Sequence, residues 1–140
     1  DGIHIMIAED HTTCFETTVN SDLNLDFNDE EIHCDLTKVI PGSVIKDGEL
    51  FDNDGEKVDL DKIRVMVSIE PEDIEMSDDL DAGLVVGKII NLIYKGDHYS
   101  YVVRTEHGHD LIVDDEYLWN MHDKVSLIMP EDKMQFALKK

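Results

Sequence analysis

The sequence predicts an all-β, antiparallel fold with one short helix. Three observations carry that reading. Apolar residues recur at every second position in several stretches, which is the period of a half-buried strand. Gly- and Pro-containing turn dipeptides separate those stretches. Only one segment has the look of a helix, and it is short.

The elements follow in order along the chain. Ile3, Ile5 and Ile7 alternate. Cys14 and Cys34 each sit in a strand-like stretch. Pro41-Gly42, Asp47-Gly48 and Asp54-Gly55 mark turns, and Asp54-Gly55 reads as a type I′ hairpin, whose two central residues need positive φ. Val65, Val67 and Ile69 alternate into Pro71-Glu72-Asp73. Lys95-Gly96-Asp97 precedes the alternation Tyr99, Tyr101, Val103, and His107-Gly108 precedes the pair Leu111 and Val113. The helix is expected over Asp115 to Met121, with Asp114 as its N-cap. Val125, Leu127 and Met129 close the series and run into Pro130-Glu131-Asp132.

One pattern therefore occurs twice, an alternating strand ending in Pro-Glu-Asp. Proline ends a strand by removing a ladder donor, and the acids after it can turn the chain by accepting backbone N–H bonds. The repeat implies one region of two packed β modules, about 1–76 and 82–140, joined near the acidic stretch Asp78 to Asp81.

Composition narrows the partners. Against 33 acidic residues the 140-residue chain sets 12 basic ones, for a formal charge of -21. Such a surface repels nucleic acid and anionic lipid, both of which are bound through Lys and Arg. It attracts polyamines, divalent ions or a basic protein surface. Cys14 and Cys34 lack the spacing of a zinc or redox pair, so buried thiols and a cytoplasmic location are expected. No apolar run has the length of a membrane span and no signal peptide is visible. The opening Asp1, in place of Met, suggests a fragment of something longer.

The search for chemistry excludes more than it finds. There is no G-x-x-x-x-G-K-[ST] loop to cradle phosphates. Asp52-Asn53-Asp54-Gly55-Glu56 invites a calcium-loop reading, but with Gly55 at loop position six, Leu50 falls where an oxygen ligand is required. His98, His107 and His109 straddle a turn and do not converge as zinc ligands must. Ser77, Ser100 and Ser126 lack a nucleophile-elbow context. Cys14 and His11, three residues apart in an extended stretch, face opposite ways. No catalytic, cofactor-binding or metal-ligating residue is assigned.

What remains is charge. From Glu70 to Asp81 there are seven acids in twelve residues and no base, a density that demands solvation or paired cations. The plain reading is a solvated connection. The sharper one is a polycation-binding surface of Glu72, Asp73 and Glu75, extended by the second cluster Asp114, Asp115 and Glu116. Tyr117 and Trp119 could add cation–π contacts there.

The order of features from Ser68 to Lys139 resembles the TOBE segment of ABC-importer ATP-binding subunits, above all those of spermidine/putrescine importers. The resemblance rests on Ile69-Glu70-Pro71-Glu72-Asp73-Ile74, Gly83-Leu84-Val85-Val86-Gly87, Tyr94-Lys95-Gly96, Tyr99 to Val103, Gly108, and Val125 to Asp132. Glu70 stands where that family usually has Arg, so no role of the Arg carries over. The resemblance implies an OB-fold-like β-barrel module that regulates transport without chemistry of its own. It also implies an ATPase domain upstream that holds ATP and magnesium, a homodimeric partner, and membrane permease subunits met through that domain at the cytoplasmic face. Two other readings remain open: a module binding a small oxyanion such as molybdate, and an acidic face that docks a basic protein.

Overall fold

The computed structural model describes residues 3–139, so the expected domain start at Asp1 and Gly2 lies outside them. The fold is all-β with one four-residue α-helix. Contacts divide the chain into two compact units. One is built on Phe15–Val67 with residues from both chain ends, the other on Ser68–Met134 with His4–Cys14. Asp78 to Asp81, where a joint was expected, lies inside the second unit.

In the first unit, strands β2 (Thr13–Thr18) and β3 (Leu25–Phe27) place Phe15 and Phe27 edge to face at 5.0 Å. Both rings are buried, with Leu25, Leu36, Leu50, Val65 and Val67 completing the core. β3 pairs antiparallel with β4 (Glu30–Ile32). The helix α1 (Leu36–Val39) starts where Asp35 accepts the Thr37 N–H at 3.1 Å and places Lys38 in its last turn. Pro41 follows shortly after and cannot prolong it. A two-residue turn then joins β5 (Val44–Lys46) to β6 (Glu49–Phe51). Its central residues, Asp47 at φ 54 and Gly48 at φ 77, are the pair with the positive φ values of a type I′ turn. At Asp54-Gly55, where that turn was expected, only Gly55 has positive φ. The reason is Asp52, whose Oδ1 accepts the N–H groups of both Asp54 and Glu56 and builds a longer loop, closed by the Phe51–Lys57 bridge.

In the second unit, five strands form a sheet of order β11-β10-β9-β12-β8, antiparallel at every pairing: β8 (Glu75–Ser77), β9 (Val85–Tyr94), β10 (Tyr99–Thr105), β11 (Asp110–Asp115) and β12 (Lys124–Ile128). Alternation along these strands buries Ile89, Tyr101, Val103, Leu111, Val113, Val125 and Leu127. The acidic stretch keeps its carboxylates largely exposed, as their density demands, but it is anchored in the second unit and is not a free connection. Ile74 and Met76 within it are buried, and the Ser126 hydroxyl holds the Asp79 carbonyl at 2.7 Å.

The helix expected over Asp115 to Met121 does not form, and hydrogen bonds explain why. Asp115 accepts the Tyr117 N–H at 3.0 Å and the Trp119 indole N–H at 3.0 Å. The buried Tyr101 hydroxyl donates to the Tyr117 carbonyl at 2.6 Å and accepts the Trp119 N–H at 2.7 Å. The two Tyr101 bonds take up the Tyr117 carbonyl and the Trp119 N–H, backbone groups that an α-helix over this stretch would pair internally.

The Pro-Glu-Asp repeat has a structural meaning. β7 (Arg64–Ile69) runs into a 3₁₀ turn at Pro71–Asp73 and then into β8, which pairs with β12. β12 runs through Pro130 into a 3₁₀ turn at Glu131–Lys133 and then into β13 (Gln135–Leu138). β13 lies beside β7 in the four-stranded sheet β1-β2-β7-β13, where β1 is Ile5–Ile7. Each Pro-Glu-Asp turn thus sends its chain to the strand of the other repeat.

Candidate functional site: an acidic cleft

A cleft of about 440 Å³ in the second unit is lined by Glu72, Asp97, His98, Asp114, Asp115, Glu116 and Tyr117. Strand pairing assembles it. β11 ends on Asp114 and Asp115, which lie opposite Ser100 and Tyr99 at the start of β10. The turn before β10 supplies Asp97 and His98, and the first 3₁₀ turn packs on β11 to bring Glu72. The chain then bends away at Glu116 and Tyr117, held by the Asp115 and Tyr101 bonds described above.

The electrostatics are one-sided. Five carboxylates line the cleft, and neither Lys nor Arg does. His98 is the one basic group, with Nδ1 2.6 Å from Asp97 Oδ1 and Nε2 3.8 Å from Asp114 Oδ2. Asp114 keeps 27% side-chain exposure and Asp97 88%, so the carboxylates range from half-buried to fully hydrated. Tyr117, in the lining, is 75% exposed; outside the lining Tyr94 and Tyr99 pack at 5.0 Å, with Tyr94 donating its hydroxyl proton to the Gly96 carbonyl. Beneath, burial is the main cause that lifts the Tyr101 hydroxyl above the ordinary tyrosine pKa; the neighbouring Asp115 and Tyr99 add to it, while the Trp119 N–H opposes it.

Of the six residues named from sequence as polycation-binding, four line this cleft: Glu72, Asp114, Asp115 and Glu116. Asp73 and Glu75 do not; Glu75 starts β8 opposite Ile128, directed by that pairing. Trp119 is absent from the lining as well; its indole N–H donates to Asp115, which is in it. Sequence reasoning missed Asp97 and His98. Their signal was the turn at Lys95-Gly96-Asp97, but only the register of Tyr99 on Asp115 shows that this turn meets the end of β11.

Among the described residues, no group of three or more His, Cys, Asp or Glu is placed to hold a metal ion. Five carboxylates that form no such group still give the cleft a charge that several cationic groups, or one cation carrying several, can meet. A second cleft, of about 380 Å³ in the first unit, is lined by Ile3, Glu16, Thr17, Thr18, Asp26, Asn28 and Arg64. Its guanidinium donates to the carbonyls of Asp61 and Ile63, and two acids share the lining, which makes a poor oxyanion pocket. No helix among the described residues is long and apolar enough to cross a membrane.

Comparison with known proteins matches residues 67–136 to the family model described as the TOBE domain. The chain is 25% identical over 131 residues, 93% of its length, to a protein of Bacteroides fragilis named spermidine/putrescine import ATP-binding protein PotA. It is 27% identical over 71 residues, 51% of its length, to a protein of the same name from Bacteroides thetaiotaomicron. These alignments span only 24% and 15% of the two relatives.

Proposed function

The chain belongs to the TOBE-domain family, and from that premise we propose that it is the C-terminal regulatory domain of the ATP-binding subunit of an ABC importer, responsive to polyamine. In this reading the domain carries no chemistry. ATP and magnesium are held by a nucleotide-binding domain upstream, a second copy of the subunit is the partner, and permease subunits anchor the assembly at the cytoplasmic face of the membrane. The family match and the names of the two relatives support the importer part.

The acidic cleft carries the polyamine part. A polyamine presents several ammonium groups on one flexible chain, and five carboxylates with no Lys or Arg among them offer several counter-charges in one cleft. Tyr117, in the lining and 75% exposed, supplies an aromatic face for methylene and cation–π contact. Exposed ion pairs are individually weak and screened by salt, so the expected affinity is on the order of a millimolar. That range suits a sensor of a cation abundant in cells rather than a scavenger. The cleft's charge argues equally against an oxyanion such as molybdate.

Titration calorimetry with spermidine at physiological ionic strength tests the reading, with magnesium chloride at matched ionic strength as the comparison. Binding is expected for spermidine and is expected to weaken several-fold in the double substitution Asp114→Asn, Glu116→Gln. Absence of heat, or equal heat from magnesium, rules out the sensing role. A salt-sensitive complex with a basic protein surface, indifferent to spermidine, would instead favour an acidic docking face.

A further inference from the structure

We propose that Asp47-Gly48 is a site of spontaneous backbone isomerisation, converting Asp47 to isoaspartate, while the chemically identical Asp54-Gly55 is protected by the fold. The chemistry needs no enzyme, metal or oxidant. The Gly48 amide nitrogen attacks the side-chain carboxyl carbon of protonated Asp47. A C–N bond forms, the C–OH bond breaks, and water leaves with the carboxyl oxygen and the amide proton. One water molecule then opens the five-membered imide. Cleavage at the side-chain carbonyl restores aspartate; cleavage at the main-chain carbonyl leaves the chain running through Cβ and Cγ, with a free α-carboxylate.

The dipeptide sets the intrinsic rate, because glycine has no Cβ to hinder attack by its own nitrogen. Both Asp-Gly pairs share that advantage, and an added Cβ at either Gly48 or Gly55 would meet nothing within 4 Å. They differ in what holds the backbone. The Gly55 N–H donates to the Asp52 carbonyl at 3.0 Å. Asp52 Oδ1 also accepts the Asp54 and Glu56 N–H groups at 2.9 and 3.0 Å, and the Asp52 N–H donates to the Glu56 carbonyl at 2.8 Å. Four bonds pin that loop, and one of them engages the nucleophilic nitrogen itself.

At Asp47-Gly48 the support is thinner. The two residues are the whole turn between β5 and β6, each a three-residue strand, and a two-stranded ribbon of that size has little stability of its own. All of β5 is exposed, including Val44 at 55% and Ile45 at 47%, and Asp47 and Gly48 are exposed with it. Asp47 sits at φ 54, in the left-handed region that a residue with a side chain adopts at a cost, so release of the turn relieves strain. Opening of the tip alone, residues 46–49, all exposed, leaves the buried Leu50 in place and exposes little apolar surface, and local openings of that kind lie at the low end of the stability range. Attack then proceeds from the open state. Insertion of a main-chain methylene afterwards prevents the two-residue turn from re-forming, so the Lys46–Glu49 pairing is lost.

Prolonged incubation of the folded protein at neutral pH, followed by proteolysis and fragmentation that distinguishes isoaspartate from aspartate, tests the inference. Isoaspartate is expected at residue 47, accumulating several-fold faster than at residue 54, and as a new methyl-acceptor site for an isoaspartyl methyltransferase. Asp47→Asn is expected to convert faster, with the mass change of deamidation. After incubation in denaturant the two sites are expected to react at similar rates, which assigns the difference to the fold. Equal rates in the folded protein, faster reaction at Asp54, or no isoaspartate at residue 47 while the denatured chain forms it, would each overturn the proposal.

Discussion

Removing one oxygen atom tests how the cleft's floor is built. Tyr101 is fully buried in β10, and its hydroxyl joins the Tyr117 carbonyl at 2.6 Å to the Trp119 N–H at 2.7 Å. Tyr101→Phe keeps the ring and deletes both bonds. A typical net contribution of about 1 kcal/mol per bond gives about 2 kcal/mol. The two orphaned groups are not equivalent. Tyr117 is 75% exposed, so its carbonyl regains water, whereas the amide of half-buried Trp119 keeps part of its desolvation penalty, raising the total to about 2–3 kcal/mol. Urea unfolding of wild type and variant measures this as a lower midpoint at unchanged slope. Amide exchange at Trp119 should accelerate more than exchange in β9. A loss below about 0.5 kcal/mol, the low end for one bond, would refute the view that this hydroxyl holds residues 116–119.

The same tyrosine predicts an alkaline limb. Its pKa is raised in the fold, so its contribution is complete below the unfolded value of 10.0 and is lost as pH rises through the folded value. Wild type should therefore lose stability above about pH 10 more steeply than Tyr101→Phe, and identical slopes would contradict the shift. Gly83→Ala would place a Cβ 2.5 Å from the Leu127 carbonyl oxygen and 2.7 Å from its nitrogen, both rigid backbone. A cost of about 1–3 kcal/mol is expected by denaturant unfolding, with a neutral result showing that this approach relaxes freely. Asp115→Ala leaves the indole N–H of the chain's one Trp without its carboxylate, so tryptophan emission should move to longer wavelength. Unchanged emission would mean that the Asp115 bond does not set the indole's surroundings.

Strands were legible where one face is buried. Val65, Val67 and Ile69, or Tyr101 and Val103, alternate because their neighbours point to water, and the structure buries all five. Helix placement was not legible, because the cue was local and the outcome is not. Asp114 before an acidic, aromatic run has the form of a start signal, yet a hydroxyl from β10 claims the backbone of that run. Conversely, α1 is a single turn made by Asp35, too short to produce a periodicity. The type I′ turn was assigned to the wrong Asp-Gly pair because the choice depends on Asp52, two residues before Asp54. For the cleft, clustering in sequence found Glu72, Asp114, Asp115 and Glu116, but that the first cluster's Glu72 meets the second, and that Asp97 and His98 join them, comes only from register and turn packing.

The repeat was visible as a sequence echo, but its consequence emerges only from strand pairing. A strand followed by Pro-Glu-Asp suggests a module that folds on itself, with a boundary in the acidic stretch after it. Here each turn hands its chain across: β8 pairs with β12, and β13 takes the place beside β7. A cut between Asp78 and Asp81 would strip β12 from β8 and remove β13 from β7 at once. It would also break the Ser126 hydroxyl's bond to the Asp79 carbonyl, which ties the acidic stretch itself to β12. The density of carboxylates there, which reads as a flexible connection, is compatible with order because the apolar Pro71, Ile74 and Met76 are the buried residues while the acids stay towards solvent. The same arrangement turns Glu72 towards the end of β11. The acidic surface is thus a product of the exchange: a Pro-Glu-Asp turn that merely closed its own module would have no reason to meet Asp114 and Glu116.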